Sequence, residues 1–229
     1  MKTYKYFLLA LAVIIIDQTA KLLVYKNMYL HQEINVLGEW FRLHYLLNPG
    51  MAFGIRWNNE FGKLALSIFR IVAVFGIGYY LVRMAKRGAS SGFLWCMGLI
   101  LGGAVGNVID STFYGVLLNN NPVGSSTPWF HGQVIDMLFF PMFEYVWPDW
   151  VPGVGGDYFL FFSPVFNIAD SSIFVGVVII LIRQKRFFKH SHENPNSSED
   201  SLIAPTMGTG DIPLENNDAA PSTNVTTEP

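Results

Sequence analysis

Four separated apolar blocks constrain this chain more than any other feature. Residues 6–25, 64–82, 92–117 and 168–182, the last extended by part of the aromatic stretch before it, approach the roughly 20 residues that a helix needs to cross a bilayer. With 51% hydrophobic and only 14% charged residues, the composition agrees with that reading. The expected fold class is an all-α membrane protein with four transmembrane helices. Lys2 and Lys5 ahead of the first block resemble a signal peptide, but Asp17, Gln18 and Lys21 stand where a small-residue cleavage site belongs, so the block is read as retained.

Lys and Arg orient the spans. Lys2 and Lys5 precede the first, Arg83, Lys86 and Arg87 separate the second from the third, and Arg183, Lys185, Arg186 and Lys189 follow the fourth. Residues 118–163 contain neither Lys nor Arg, as a translocated loop should. Both ends of the chain are therefore expected in the cytoplasm. Residues 1–189 form the membrane domain in this reading. Residues 190–229, rich in Ser, Thr, Asn, Pro and acidic side chains, form a disordered acidic tail. No basic patch suits nucleic acid, and the single cysteine, Cys96, lies inside an apolar block where packing is its simplest role.

On this topology three carboxylates fall on the outer membrane face: Asp110 at the end of the third span, Asp136 in the following loop, and Asp170 at the start of the fourth span. A carboxylate near hydrocarbon needs a partner or a task, although Asp170 could also be a helix N-cap. Gly98, Gly102 and Gly106 precede Asp110 at four-residue steps, a small-residue stripe that lets another helix approach and turns Asp110 toward protein. Asn107 and Asn167 each stand three residues before a carboxylate, close enough on a helix to orient it. If Asp136 and Asp170 lie within a few ångströms, they share a proton, and the pair can act as base toward water and as acid toward a leaving amine. Asp17 and Lys21, four residues apart, are expected to form a structural ion pair outside the chemistry. The first outer loop alternates over residues 39–45, as a strand does, and then carries Asn48, Gly50 and Gly54 in an apolar stretch that serves either as a connector or to hold a substrate backbone.

Five ordered segments, DQTAK at 17–21, NPGMAFG at 48–54, GGAVGNVID at 102–110, VIDM at 134–137 and FNIADSSI at 166–173, resemble the lipoprotein signal peptidase, or signal peptidase II, family of bacterial intramembrane aspartic proteases. The resemblance implies a catalytic pair of Asp136 and Asp170, with Asn48, Gly50, Asn107, Asp110 and Asn167 supporting it or contacting substrate, and no metal or other cofactor. It also implies a small extracytoplasmic β-sheet and an outer interfacial helix or loop. The implied reaction removes signal peptides from diacylglyceryl-modified prolipoproteins by cleavage on the amino side of the lipidated Cys. It would take place near the extracytoplasmic face of the bacterial cytoplasmic (inner) membrane, among membrane lipids and without nucleic acid. Two departures stand out: Ser111 occupies a position where the family commonly has Arg, and the connection from Asp110 to Asp136 is long. A proton- or cation-coupled transporter is the alternative that the same acidic and amide groups allow. The segment GVGGD at 153–157 resembles a presenilin-type motif only superficially, because it lies in an outer loop.

Overall fold

A computed structural model describes residues 3–50, 60–141, 143–161 and 164–188. The tail at 190–229 and the part of the NPGMAFG segment beyond Gly50 lie outside the described residues.

Helix α1, Tyr4–Asn27, buries Tyr6, Ala10, Val13, Asp17, Lys21 and Val24, a stripe at helical spacing. Its other face exposes Leu8, Leu11, Ile15, Ile16 and Leu23. Charge inside and hydrocarbon outside is the arrangement that lipid imposes. Helix α2, Glu60–Lys86, likewise presents Phe69, Val72, Phe75 and Tyr79 outward. Helix α3, Ser91–Ile109, begins at Ser90, whose side chain accepts from the Phe93 amide. Among the described residues, three helices are long and apolar enough to cross a membrane: 4–27, 62–86 and 91–117, the last including the turns that continue α3. Helix α5, Ile168–Phe188, carries Asp170 in its first turn and Lys185 and Arg186 in its last.

Helix α3 is the hub, because its glycines let two helices close on it. A methyl built on Gly98 would stand 2.8 Å from Tyr6 O, and one on Gly102 would stand 2.8 Å from Ala10 O. Gly103 presses against the Ala169 carbonyl at the start of α5. The stripe therefore packs against α1, as its spacing predicts. Cys96 is buried in the same helix.

Beyond Ile109 the chain widens into a π-helical turn, Asp110–Tyr114, and then a short helix α4, Gly115–Leu117. Such widened turns recur at functional sites. The Ser111 and Thr112 carbonyls accept from the amides of Gly132 and Phe130, which pins the returning loop. The long connection is closed by Asn120 and Gln133: Gln133 N donates to Asn120 Oδ1 at 3.1 Å, and Asn120 Nδ2 donates to Gln133 O at 2.9 Å. The inserted residues are looped out, and Val134 enters its strand in register.

Strands β1, Glu33–Leu37, β2, Phe41–Asn48, β3, Val134–Phe139, and β6, Val165–Phe166, form one antiparallel sheet of order β1-β2-β3-β6. Leu46 lies opposite Asp136, and Asn48 opposite Val134. Strands β4, Phe143–Val146, and β5, Tyr158–Phe161, form a separate hairpin, whose connection contains residues 153–157. Phe140 stacks between Phe41 and Phe166 at centroid distances of 4.7 and 5.8 Å, extending an aromatic row from Trp40. Strands are thus a larger part of the fold than the all-α description conveys, and outside the long helices the described residues form strands, turns and α4.

Candidate active site

Asp136 lies in β3 and is only 3% exposed. Asn48, at the end of β2, donates from Nδ2 to Asp136 Oδ2 at 3.0 Å. The Gly50 amide donates to Asn48 Oδ1 at 2.8 Å, which orients that side-chain amide. Gly50 adopts a φ of 93°, a left-handed conformation that only glycine takes without strain. From the other side Asn167 Nδ2 donates to Asp136 Oδ1 at 2.7 Å.

Asn167 is also the N-cap of α5. Its Oδ1 accepts from the Asp170 amide at 2.9 Å, so Asp170 is the third residue of the helix and Asn167, not Asp170, is the cap. Asp170 Oδ1 accepts from Asn107 Nδ2 at 2.7 Å. The amides therefore cross over. Each was expected to serve the carboxylate three residues ahead, yet Asn107 donates to Asp170 and Asn167 donates to Asp136. Tertiary packing offers each carboxylate a donor from a separate element, and the local spacing reflects backbone capping instead.

Asp110, 0% exposed, belongs to a buried charge network. Lys21 Nζ lies 2.7 Å from Asp110 Oδ2 and 2.7 Å from Asp17 Oδ2. Gln18 Nε2 donates to Asp110 Oδ1 at 2.8 Å, and Tyr114 Oη donates to Gln18 Oε1 at 2.9 Å. Asp17 Oδ1 accepts from the Ala169 amide at 2.9 Å, so α1 helps cap α5 one residue before Asp170. Lys21 also donates to Asn107 Oδ1 at 3.3 Å. The expected Asp17 and Lys21 ion pair is present, and it is also linked through Lys21 to Asn107, the residue that donates to Asp170. Sequence alone joins Lys21 only to its helical neighbour, whereas the short α1–α3 approach brings in Asp110.

Burial and then the charge of Asp170 push the Asp136 carboxyl up to about 7, despite amide donation from Asn48 and Asn167. A carboxyl at that value can exchange a proton near neutrality, which general acid-base chemistry requires. Among the described residues, no group of three or more His, Cys, Asp or Glu could hold a metal ion.

One nearby residue escapes the motif-based reading. Arg70 of α2 donates from Nη1 to Ser111 Oγ at 2.7 Å, and Ser111 donates to Asn107 O at 2.9 Å. A lone Arg between Lys63 and Arg83 in an otherwise apolar span was the available signal.

Apolar helices joined to a small antiparallel sheet, with buried acid and amide groups gathered at the junction, are the fold of a membrane protein with a cluster suited to acid-base chemistry. The family model described as Signal peptidase (SPase) II matches residues 9–186. A lipoprotein signal peptidase of Amoebophilus asiaticus is 46% identical over 187 residues, covering 80% of this chain and 79% of its own. One from Porphyromonas gingivalis is 43% identical over 184 residues, covering 76% and 80%. A bacterial membrane enzyme solved in meso at 1.9 Å resolution superposes with a TM-score of 0.54 at 26% identity, over 79% of this chain and 92% of that one. The chain belongs to the signal peptidase II family, which is a family of aspartic proteases, and it is an integral membrane protein.

Proposed function

We infer that the protein is an intramembrane aspartic endopeptidase that removes signal peptides from diacylglyceryl-modified prolipoproteins, cutting on the amino side of the lipidated Cys. The observation that carries the mechanism is the Asn167 bridge, whose amide bonds to Asp136 while its carbonyl oxygen caps the helix turn bearing Asp170. One residue thereby links the Asp136 carboxylate to the backbone of Asp170.

The pair carries one proton, which we assign to Asp136 because burial and the neighbouring charge of Asp170 raise its proton affinity. Water attacks the scissile carbonyl carbon as its proton passes to Asp170, and Asp136 protonates the carbonyl oxygen. The tetrahedral diol then collapses. Its C–N bond breaks, Asp170 returns a proton to the leaving nitrogen, and Asp136 recovers one from the hydroxyl, so both side chains end as they began. Asn48 and Asn167 hold Asp136, Asn107 holds Asp170, and Gly50 sets the loop against which a substrate backbone can lie. Asp110 acts through Lys21 and Asn107 as support.

Helix α5 completes a four-span bundle with both described ends on the cytoplasmic side of the bacterial inner membrane. The Lys and Arg pattern supports that orientation, and it puts the site near the outer face where a lipidated cysteine sits. Membrane lipids surround the exposed apolar faces of α1 and α2. A gel-shift assay in detergent tests the function: wild type should cleave a diacylglyceryl-modified prolipoprotein and leave its unmodified form intact. Cleavage of both forms alike would remove the lipid requirement, and cleavage of neither would reject the substrate class.

A further inference from the structure

Arg70 is a cation in the middle of an apolar helix, yet its only acceptor among the described residues is the neutral hydroxyl of Ser111. A guanidinium has five N–H donors, so among the described residues most of its capacity has no acceptor. Its place is informative. A methyl built on Gly50 would stand 3.5 Å from Arg70 Nη2, so the guanidinium lies between the end of β2 and the π-helical turn. On the first side is Asn48, bonded to Asp136, and on the second is Ser111, bonded to the carbonyl of Asn107, whose amide holds Asp170. The carboxylates whose charge acts on Arg70 are Asp170, Asp110 and Asp136. Ser67, one turn earlier on the same face of α2, donates to Phe130 O at 2.7 Å and fixes the helix against the outer loop.

We propose that Arg70 is a substrate-binding residue of this site, directing its spare N–H donors to a backbone carbonyl of the bound signal peptide next to the scissile bond. This rests on the peptidase reading above. An extended peptide crossing the site presents carbonyls that need donors once water is displaced, and a guanidinium fixed by Ser111 supplies them without reorganising. Ser111 is small enough to leave space for the side chain from α2. The positive charge that a longer residue at 111 would bring comes here from across the helix pair.

The test measures kcat and KM for a diacylglyceryl-modified prolipoprotein in detergent. Arg70→Met should raise KM about tenfold or more, the scale of a lost hydrogen bond to a charged donor, with kcat within about threefold of wild type. Arg70→Lys should be intermediate. Arg70→Ser combined with Ser111→Arg should recover most of the loss, because a guanidinium rooted at 111 reaches the same space. Unchanged KM in Arg70→Met, a defect confined to kcat, or no recovery in the folded double variant would each overturn the proposal. A wild-type protein inert on the lipidated substrate would overturn the peptidase reading as well, whereas an active wild type matched by Arg70→Met removes only the role of Arg70.

Discussion

Asn167 Nδ2 lies 3.3 Å from Asn107 Oδ1, so the amide partners of Asp136 and Asp170 are themselves joined. Asn107 Oδ1 also accepts from Lys21, and the chain of contacts runs from a buried ion network in α1 to both carboxylates. A site organised in this way has little freedom to rotate any one amide, which preorganises it.

Asp136→Asn and Asp170→Asn should each reduce turnover of lipidated prolipoprotein by about 100-fold or more, since an amide cannot carry the transferred proton. Both proteins should remain folded. Size-exclusion profile and thermal midpoint in detergent, measured beside activity, check this. An active Asp136→Asn enzyme would remove the proposed pair.

The raised proton affinity of Asp136 also affects stability. Its carboxyl is held at about 7 in the folded chain against an ordinary value of 3.8. Between these values the folded state binds more proton than the unfolded state, so this contribution is complete below 3.8 and is lost as pH rises to about 7. Thermal midpoints across that interval should therefore fall less steeply in Asp136→Asn than in wild type. Equal slopes would contradict the assignment.

Asn167→Ser separates capping from site chemistry. Serine still accepts the Asp170 amide bond at the N-cap but offers no amide donor to Asp136. Stability should change by less than about 1 kcal/mol, while kcat/KM falls at least about tenfold. Asn167→Ala removes both contacts and should lower the thermal midpoint further than Asn167→Ser.

Lys21→Met leaves Asp17 and Asp110 buried without their shared cation. The expected cost is about 3–5 kcal/mol, the range for breaking one member of a buried ion cluster. Activity should fall in parallel, because Asn107 loses the contact that orients its amide toward Asp170. A stability measurement showing no loss would mean that the cluster is better solvated than its burial indicates.

Gly102→Ala should separate α1 from α3. The added methyl would stand 2.8 Å from the Ala10 carbonyl, a backbone atom that cannot swing aside. A lower thermal midpoint, with activity reduced only as folded protein is lost, is the expected result.

The sequence by itself determined the apolar helices, because hydrocarbon accepts only chains that satisfy their own backbone. It also marked a face of α3 that another helix approaches, because Gly98, Gly102 and Gly106 repeat at helical spacing, and the structure shows that helix to be α1. The ordered motifs pointed to Asp136 and Asp170 as the candidate pair, with amide side chains near them. Tertiary structure decided which amide serves which carboxylate, brought Lys21 into contact with Asp110 and Asn107, and carried Arg70 to Ser111. Local periodicity reports neighbours one turn apart, whereas these contacts join residues on separate helices and strands. Their partners are set by how closely the helices pack on α3 and by where the looped-out connection returns β3 to the sheet.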